Sequence, residues 1–127
     1  MKCVLDTHFL LWITMGAARI DEFPWLERYR PWGISPVSFL EVQYLAEVGK
    51  LEVRIDEFIE AVLDDARFTV DDVPLLTLMR QAVGVEWTLD PFDRLLSAHS
   101  QARRLPLCSV DRQVRQHHSF LPAELKR

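Results

Sequence analysis

The sequence contains little that would place it among disulfide-rich or membrane-spanning proteins. Its 127 residues include only two cysteines, Cys3 and Cys108, which is too few for a disulfide scaffold. Neither cysteine stands in a metal-ligand spacing such as C-x-x-C, so we interpret both as buried strand thiols. The longest apolar run, FLLWI at 9–13, is far too short to cross a bilayer.

The amino terminus lacks the features of a secretory signal. MKCVLDTH offers one lysine and a short apolar run that Asp6 interrupts, and no small-residue cleavage site follows. We therefore expect a cytoplasmic protein without membrane association. The composition that remains, 49% apolar and 27% charged, is typical of an ordinary globular protein, and the length fits a single domain over residues 1–127.

Charge is distributed unevenly along the chain. The net charge is −4, with 8 basic and 16 acidic residues in 1–90 but 7 basic and 3 acidic residues in 91–127. A basic segment of this kind can face phosphate groups, although a solvated basic helix gives the same pattern. Arg94, Arg112 and Arg115 stand close in sequence to acidic residues and are candidate phosphate contacts.

Short apolar runs alternate with segments of helical periodicity. This alternation predicts an α/β fold with a mostly parallel sheet and helices on both of its faces. The predicted strands are KCVLD, WGIS, RFTV and LPLCSV. The predicted helices are FLLWIT, SFLEVQYLAEVGKL, IDEFIEAVLDDA, VPLLTLMRQAV and DPFDRLLSAHSQARR, whereas residues 21–33 suggest loop with short helix and the tail after 111 gives no clear pattern.

Four acidic residues fall where such a sheet places its ligands. Asp6 and Asp111 follow the first and last predicted strands, and Glu41 and Asp93 lie in the first turns of two predicted helices. The carboxyl ends of parallel strands meet the starts of the following helices at one edge of the sheet, where ligands bind. The four carboxylates are therefore expected to converge at that edge.

Each acid taken singly also has a structural interpretation. Ser38 and Glu41 form the S-x-x-E pattern of a capping box, in which the glutamate bonds back to the serine amide. Asp93 could simply favour the positive end of its helix. Asp6 and Asp111 could cap the helices that follow them.

Together, the four acids predict a metal site. Two carboxylates ~5 Å apart repel each other by roughly 3 kcal/mol at an effective dielectric near 20, so a cluster must be protonated or bind a cation. Mg²⁺ and Mn²⁺ suit oxygen ligands, and two such ions would balance four negative charges. Pairs of metals ~4 Å apart activate water and stabilise the leaving oxygen in phosphodiester cleavage.

Five stretches of the chain resemble one family. They are VLDTHFLLW at 4–12, SPVSFLEV at 35–42, GKLEV at 49–53, LDPFDRLLSA at 89–98 and LPLCSVD at 105–111. They resemble the PIN-domain ribonucleases, specifically the VapC-like toxins of type II toxin–antitoxin systems. The resemblance implies a three-layer α/β fold and assigns Asp6, Glu41, Asp93 and Asp111 as metal ligands. By the same match Asp90, with Pro91 in the first helical position, is the cap of its helix.

The resemblance also implies a function. A family member of this kind is a Mg²⁺- or Mn²⁺-dependent endoribonuclease with one or two ions, which cleaves RNA with a metal-activated water. It is a toxin held inactive by a cognate antitoxin protein, and homodimers are common. Arg94, Arg112 and Arg115 then become candidate RNA contacts. The hydroxyls of Thr7 and Ser109, beside the strand-end acids, are expected to orient a ligand carboxylate or a water unless they make only local bonds.

The sequence departs from the family pattern at the edge of the site. Thr88-Leu89 stand where a basic residue or histidine is common, and Val110 replaces a usual polar residue. These departures leave the four acids in place and bear on substrate preference. The alternative function is a non-catalytic PIN-like module that binds RNA or protein, although such modules usually lack one of the acids. A phosphatase of the haloacid dehalogenase type requires D-x-D, which Asp6-Thr7-His8 does not provide.

Two histidines and three tryptophans complete the set of notable residues. We expect His8 to be a partly buried first-turn residue and His99 to lie in the core or at an interface. Trp12, Trp25 and Trp32 could contribute to a groove for a partner.

Overall fold

Four short strands form one parallel sheet within residues 1–126, the part of the chain that the computed structural model describes. They are β1 (Cys3–Leu5), β2 (Trp32–Ile34), β3 (Phe68–Val70) and β4 (Leu107–Cys108), in the order β3-β2-β1-β4. Val4 pairs with Gly33 on one side and with Leu107 on the other. The predicted parallel sheet is thus confirmed. Arg127, the last residue of the predicted domain, lies outside the described residues.

Helices fill the connections between the strands, as the sequence predicted, and a short helix that the sequence did not predict follows the last strand. They are α1 (Thr7–Thr14), α2 (Val37–Glu47), α3 (Ile55–Asp64), α4 (Leu75–Val83), α5 (Pro91–Arg103) and α6 (Arg112–His117). Shorter 3₁₀ segments cover Ala18–Glu22, Pro24–Tyr29 and Ala123–Leu125. No helix among residues 1–126 is both long enough and apolar enough to cross a membrane.

The sheet separates two apolar layers. Successive residues of a strand point to opposite faces, so Cys3 and Leu5 face one layer and Val4 faces the other. The first layer adds side chains from α1 and α3, among them Phe9, Leu10 and Val62. The second adds side chains from α5 and α6, among them Leu96 and Val114. This arrangement confirms the predicted α/β fold with helices on both faces.

Both cysteines are buried strand thiols, as predicted. Cys3 and Cys108 are free and fully buried in the first layer. The Cys3 thiol and burial together raise the pKa of Cys108 well above its ordinary value. Cys108 is therefore not poised to react as a thiolate.

Helix α5 begins as its sequence predicts. Asp90 is the N-cap, and its Oδ1 accepts hydrogen bonds from the backbone N–H groups of Phe92 at 2.8 Å and Asp93 at 3.2 Å. Pro91 occupies the first helical position, where its missing N–H costs nothing. The cap fixes where α5 starts and thereby which face of the helix carries Asp93.

Helix α2 buries a narrow face of small and branched residues. Ser38 and Val42 are fully buried, whereas Leu40, Tyr44 and Val48 are 64%, 51% and 48% exposed. The apolar residues whose spacing predicts this helix therefore lie on its solvent-facing side. Tyr44 contacts Phe92 of α5, with ring centroids 5.7 Å apart, so the exposed strip continues to the start of α5.

Candidate acid site at the carboxyl edge of the sheet

One cleft of about 260 Å³ contains all four acids that the sequence singled out. Asp6 follows β1, Glu41 lies in the first half of α2, Asp93 in the first turn of α5, and Asp111 precedes α6. The remaining lining residues are His8, Trp12, Asp90 and Val110. The structure thus brings carboxylates from four separate segments to the carboxyl edge of the sheet. We refer to this space as the acid cleft.

Ser109 links the two strand-end acids. Its Oγ donates to Oδ2 of Asp6 at 2.6 Å and accepts from the backbone N–H of Asp111 at 3.1 Å. Ser109 is fully buried, and Asp6 is 6% exposed. A buried hydroxyl with two partners holds both acids in a defined relation, as the predicted orienting role requires.

Asp6 and Asp111 also cap the helices after them. Oδ1 of Asp6 accepts from the N–H of His8 at 3.0 Å. Oδ1 of Asp111 accepts from the N–H groups of Gln113 and Val114 at 3.0 and 3.1 Å. Capping and metal binding are compatible at these positions, because the cap bonds leave Oδ2 of Asp111 free and each oxygen of Asp6 keeps a second lone pair.

Glu41 is not part of a capping box. The N-cap of α2 is Pro36, no side chain caps that helix end, and Ser38 lies inside the helix, where its Oγ accepts a hydrogen bond from Thr7 Oγ1 at 2.9 Å. Oε1 of Glu41 is buried and has no hydrogen-bond partner within residues 1–126. Burial raises the pKa of Glu41, the Asp6 charge adds to this rise, and the nearby Thr7 hydroxyl opposes it. The capping interpretation of Glu41 is wrong.

Asp93 has the most perturbed carboxyl group of the acid cleft. Burial raises its pKa to about 7, and the charges of Asp90, Asp111, Asp6 and Glu41 add to the rise. A carboxyl group that is half protonated near neutral pH reports a site with an excess of negative charge. The surroundings of Asp93 therefore favour a cation.

His8 belongs to the acid cleft. Its side chain is 56% exposed, and Nδ1 lies 3.5 Å from Oδ1 of Asp6. The hydrogen bond to Asp6 raises the pKa of His8, while burial opposes the rise. The sequence favoured a partly buried first-turn histidine over a substrate contact, and the expected burial is wrong, because more than half of the side chain is exposed. The signal that could have found it is its position two residues after a strand-end acid.

The family model of the PIN domain matches residues 3–118. The chain belongs to the PIN-domain family. Members of this family are generally nucleases, and they generally use divalent metal ions. Among solved structures, a chain from a toxin–antitoxin complex of Klebsiella pneumoniae is similar, with a TM-score of 0.64, 18% sequence identity and coverage of 88% of this chain and 89% of that one. No curated protein matches the sequence.

The oxygen ligands of this PIN domain suit a hard divalent cation, although the four carboxylates are spread across the cleft. All four acids offer oxygen ligands, and the buried Oε1 of Glu41 lacks a partner. Within residues 1–126, however, no three His, Cys, Asp or Glu side chains are grouped so that they could hold a metal ion. Like charges keep carboxylates apart, so these side chains approach each other more closely when a cation lies between them or when one of them is protonated.

The three predicted RNA-contact arginines divide into two groups. Arg94 Nε donates to the backbone oxygen of Val85 at 2.7 Å, and Arg94 lines a separate pocket beside Met79. The structure therefore does not bring Arg94 to the acid cleft, because its guanidinium binds the loop before α5. Arg112 and Arg115 line a groove next to the cleft.

Thr7 lies beside Glu41 and bonds to the neighbouring helix α2. Its hydroxyl donates to Ser38 across 31 residues of chain, at 2.9 Å. It is fully buried. The bond joins α1 to α2 beside Glu41, which fixes the position of the first half of α2 relative to β1.

Proposed function

We propose that this PIN domain is a Mg²⁺- or Mn²⁺-dependent endoribonuclease that hydrolyses phosphodiester bonds in RNA, and that it acts as the toxin of a toxin–antitoxin pair. One observation carries the proposal: acids from four separate segments line a single cleft in which Oε1 of Glu41 is buried without a partner. Such a group is costly unless something binds it. A cation held by carboxylates is the simplest partner.

Asp6, Glu41, Asp93 and Asp111 would hold one or two ions. The chemistry that a bound divalent ion supplies is a lower pKa for the attacking water and a positive charge that stabilises the leaving oxygen. Ser109 fixes Asp6 relative to the Asp111 backbone, and Asp90 keeps α5 in place. Water is the attacking group in this scheme, so no side chain of the acid cleft has to act as a nucleophile.

The role of Asp93 follows from its surroundings. With a pKa of about 7, the group gains negative charge only at the cost of desolvation in its buried position and of repulsion by its neighbours. Binding of a cation removes that repulsion, so protonation and metal binding compete at this residue. Activity is therefore expected to rise with pH through the neutral range.

The toxin role draws on the similar fold in a toxin–antitoxin complex and on the sequence resemblance. We propose that a cognate antitoxin covers the acid cleft and adjoining apolar surface, and that the toxin forms a homodimer in the cytoplasm. The exposed strip Leu40, Tyr44 and Val48 borders Glu41 on α2. It offers a partner apolar contact area next to the site.

A non-catalytic PIN module that binds RNA or protein is the second candidate. Within residues 1–126, no three of the acids are grouped closely enough to hold an ion as they stand. This spacing favours the binding module. The presence of all four acids favours the nuclease. The two candidates differ in one measurable property, which is metal-dependent cleavage.

A cleavage assay with a matched pair of variants tests the nuclease. Single-stranded RNA is incubated with the protein and Mn²⁺ or Mg²⁺, with and without a chelator. Asp93→Asn is expected to reduce cleavage by at least about 100-fold, whereas Asp90→Asn, which keeps an equally good helix cap, should retain most activity. Cleavage that survives Asp93→Asn or the chelator would refute the catalytic assignment, and absence of cleavage by the unaltered protein would favour the binding module.

A further inference from the structure

A second groove adjoins the acid cleft. It has a volume of about 470 Å³ and is lined by Val110, Arg112, Arg115, Gln116 and Leu125. Val110 also lines the acid cleft, so the two spaces share a wall. We call the second space the α6 groove. A chain that lies in the acid cleft can continue into the α6 groove past Val110.

The polar side of the α6 groove is one face of a helix. Arg112, Arg115 and Gln116 are spaced i, i+3 and i+4 along α6, which places them on the same face. They present two guanidinium groups and an amide. Guanidinium groups bind phosphate through several N–H donors in a fixed planar arrangement.

The two guanidinium groups of the groove are not used within the fold. Most other arginines have an acidic partner within residues 1–126: Arg19 with Glu22, Arg28 with Glu124, Arg30 with Glu27, Arg54 with Glu57, Arg67 with Asp65 and Arg103 with Asp71. Among the described residues, Arg112 and Arg115 form no ion pair. Their charge is therefore directed to solvent or to a ligand.

Two acids that adjoin the α6 groove in sequence have partners other than Arg112 and Arg115. Glu124, next to Leu125 of the groove, forms a salt bridge with Arg28 and accepts a hydrogen bond from Tyr29 Oη at 2.7 Å. Oδ1 of Asp111 accepts from backbone N–H groups at the start of α6. The groove thus keeps a positive character in a chain whose net charge is −4.

The far wall of the groove is well supported. Leu125 belongs to the 3₁₀ segment Ala123–Leu125 and is only 6% exposed. The bonds from Glu124 to Arg28 and Tyr29 join this segment to residues about 95 positions earlier in the chain. The groove therefore lies between α6 and a fixed wall.

We propose that the α6 groove binds the phosphates of the RNA strand that flank the scissile position, on the side of the acid cleft that Val110 borders. This inference rests on the proposed function, because it takes the acid cleft as the cleavage position. Arg112 and Arg115 are positioning residues: they anchor the strand and do not touch the reacting atoms. The groove contacts the backbone, so it adds affinity without sequence preference.

Binding is measured separately from cleavage. Fluorescence anisotropy follows a labelled single-stranded RNA of about ten nucleotides with Asp93→Asn protein, which leaves the RNA intact. In that background, R112Q/R115Q is compared with R80Q/R104Q, which removes two exposed arginines that line neither space. We expect R112Q/R115Q to weaken binding about tenfold or more at low salt and to reduce the salt slope of log K by about 1.4, since each phosphate contact on a single strand contributes ~0.7.

A second readout uses substrate length in the protein with Asp93 intact. The KM for the long RNA should rise about tenfold in R112Q/R115Q, whereas cleavage of a dinucleotide, which cannot reach the groove, should be unchanged. Equal binding by both double variants would overturn the groove assignment and leave the nuclease intact. A protein that cleaves no RNA but binds it through Arg112 and Arg115 would overturn the nuclease and support the groove. Equal loss of cleavage for long and short substrates would show an effect on the acids, which contradicts a positioning role.

Discussion

Asp90 and Asp93 have the same side chain and stand three residues apart, yet the structure gives them different surroundings. The carboxylate of Asp90 accepts two backbone N–H bonds at the start of α5, which offsets its charge. Asp93 is half-buried among other acids, and its pKa rises to about 7. Local helix chemistry therefore accounts for Asp90, whereas Asp93 is explained only by the cleft it lines.

Replacing Asp93 should stabilise the metal-free protein at high pH. Its folded pKa of about 7 lies above the ordinary value of 3.8, so between these values the folded state binds more protons and stability falls as pH rises. Asp93→Asn removes this loss. We expect a gain of about 2 kcal/mol at pH 8 after allowing for solvent screening, and the gain should shrink steadily as pH falls below 7.

Chemical denaturation of both proteins across this pH range measures the difference. Asp64→Asn, at the exposed end of α3, serves as the control and should give a difference that barely changes with pH. A pH-independent difference between the Asp93→Asn and unaltered proteins would contradict the clustering of the acids.

Ser109 and Ser97 provide a matched pair of buried hydroxyls. Both are fully buried, but Ser109 Oγ bonds to Asp6 and Asp111, whereas Ser97 Oγ has no partner within residues 1–126. Ser109→Ala should therefore lower the free energy of unfolding by about 1–3 kcal/mol and weaken Mn²⁺ binding about tenfold or more. Ser97→Ala should change neither property appreciably. Equal effects of the two substitutions would contradict the orienting role assigned to Ser109.

At the scale of the elements, a buried histidine at the end of α6 is held to α5 by a hydrogen bond. Ser100 of α5 donates to the backbone oxygen of Leu105 at 2.5 Å, so its Oγ accepts from Nε2 of His118, 2.8 Å away. Nδ1 of His118 has no partner within residues 1–126. The position of the chain that follows α6 therefore depends on a neutral His118 imidazole.

Mild acid should weaken this attachment. Burial lowers the pKa of His118 to about 4, below the 6.5 of an ordinary histidine, so the unfolded state binds more protons between these values. Stability is then lost as pH falls from 6.5 towards 4, by up to about 3 kcal/mol. His118→Gln should reduce the loss, while His117→Gln, at the exposed neighbouring residue that stacks on Trp87, should leave it unchanged. Thermal melts from pH 4 to pH 7 distinguish the two variants.

The elements themselves were largely predictable, but their buried faces were not. Apolar periodicity located α2, yet Leu40, Tyr44 and Val48 are exposed and Ser38 and Val42 are buried. Periodicity identifies a face, and only the packing of neighbouring elements decides whether that face meets the core. The same reason explains Arg94, whose bond to the Val85 backbone depends on a loop position that no local pattern specifies.

For the whole molecule, strand–helix alternation predicted the parallel sheet and the edge at which the acids converge. The strand order β3-β2-β1-β4 was not predictable from local pattern, because strand pairing joins segments far apart in the chain. The order matters for the site: it sets β4 beside β1, which brings Ser109 to Asp6. The distances between the acid side chains also could not be predicted from the sequence, because they depend on side-chain rotamers and mutual repulsion.

The proposed nuclease depends on a shared cation in the acid cleft, and Mn²⁺ titration calorimetry tests for this cation directly. The unaltered protein and Asp90→Asn should both bind Mn²⁺ with measurable heat and gain thermal stability with added ion, whereas Asp93→Asn should bind at least about tenfold more weakly. No heat with the unaltered protein, or equal binding by all three proteins, would contradict the claim that these acids form one metal site.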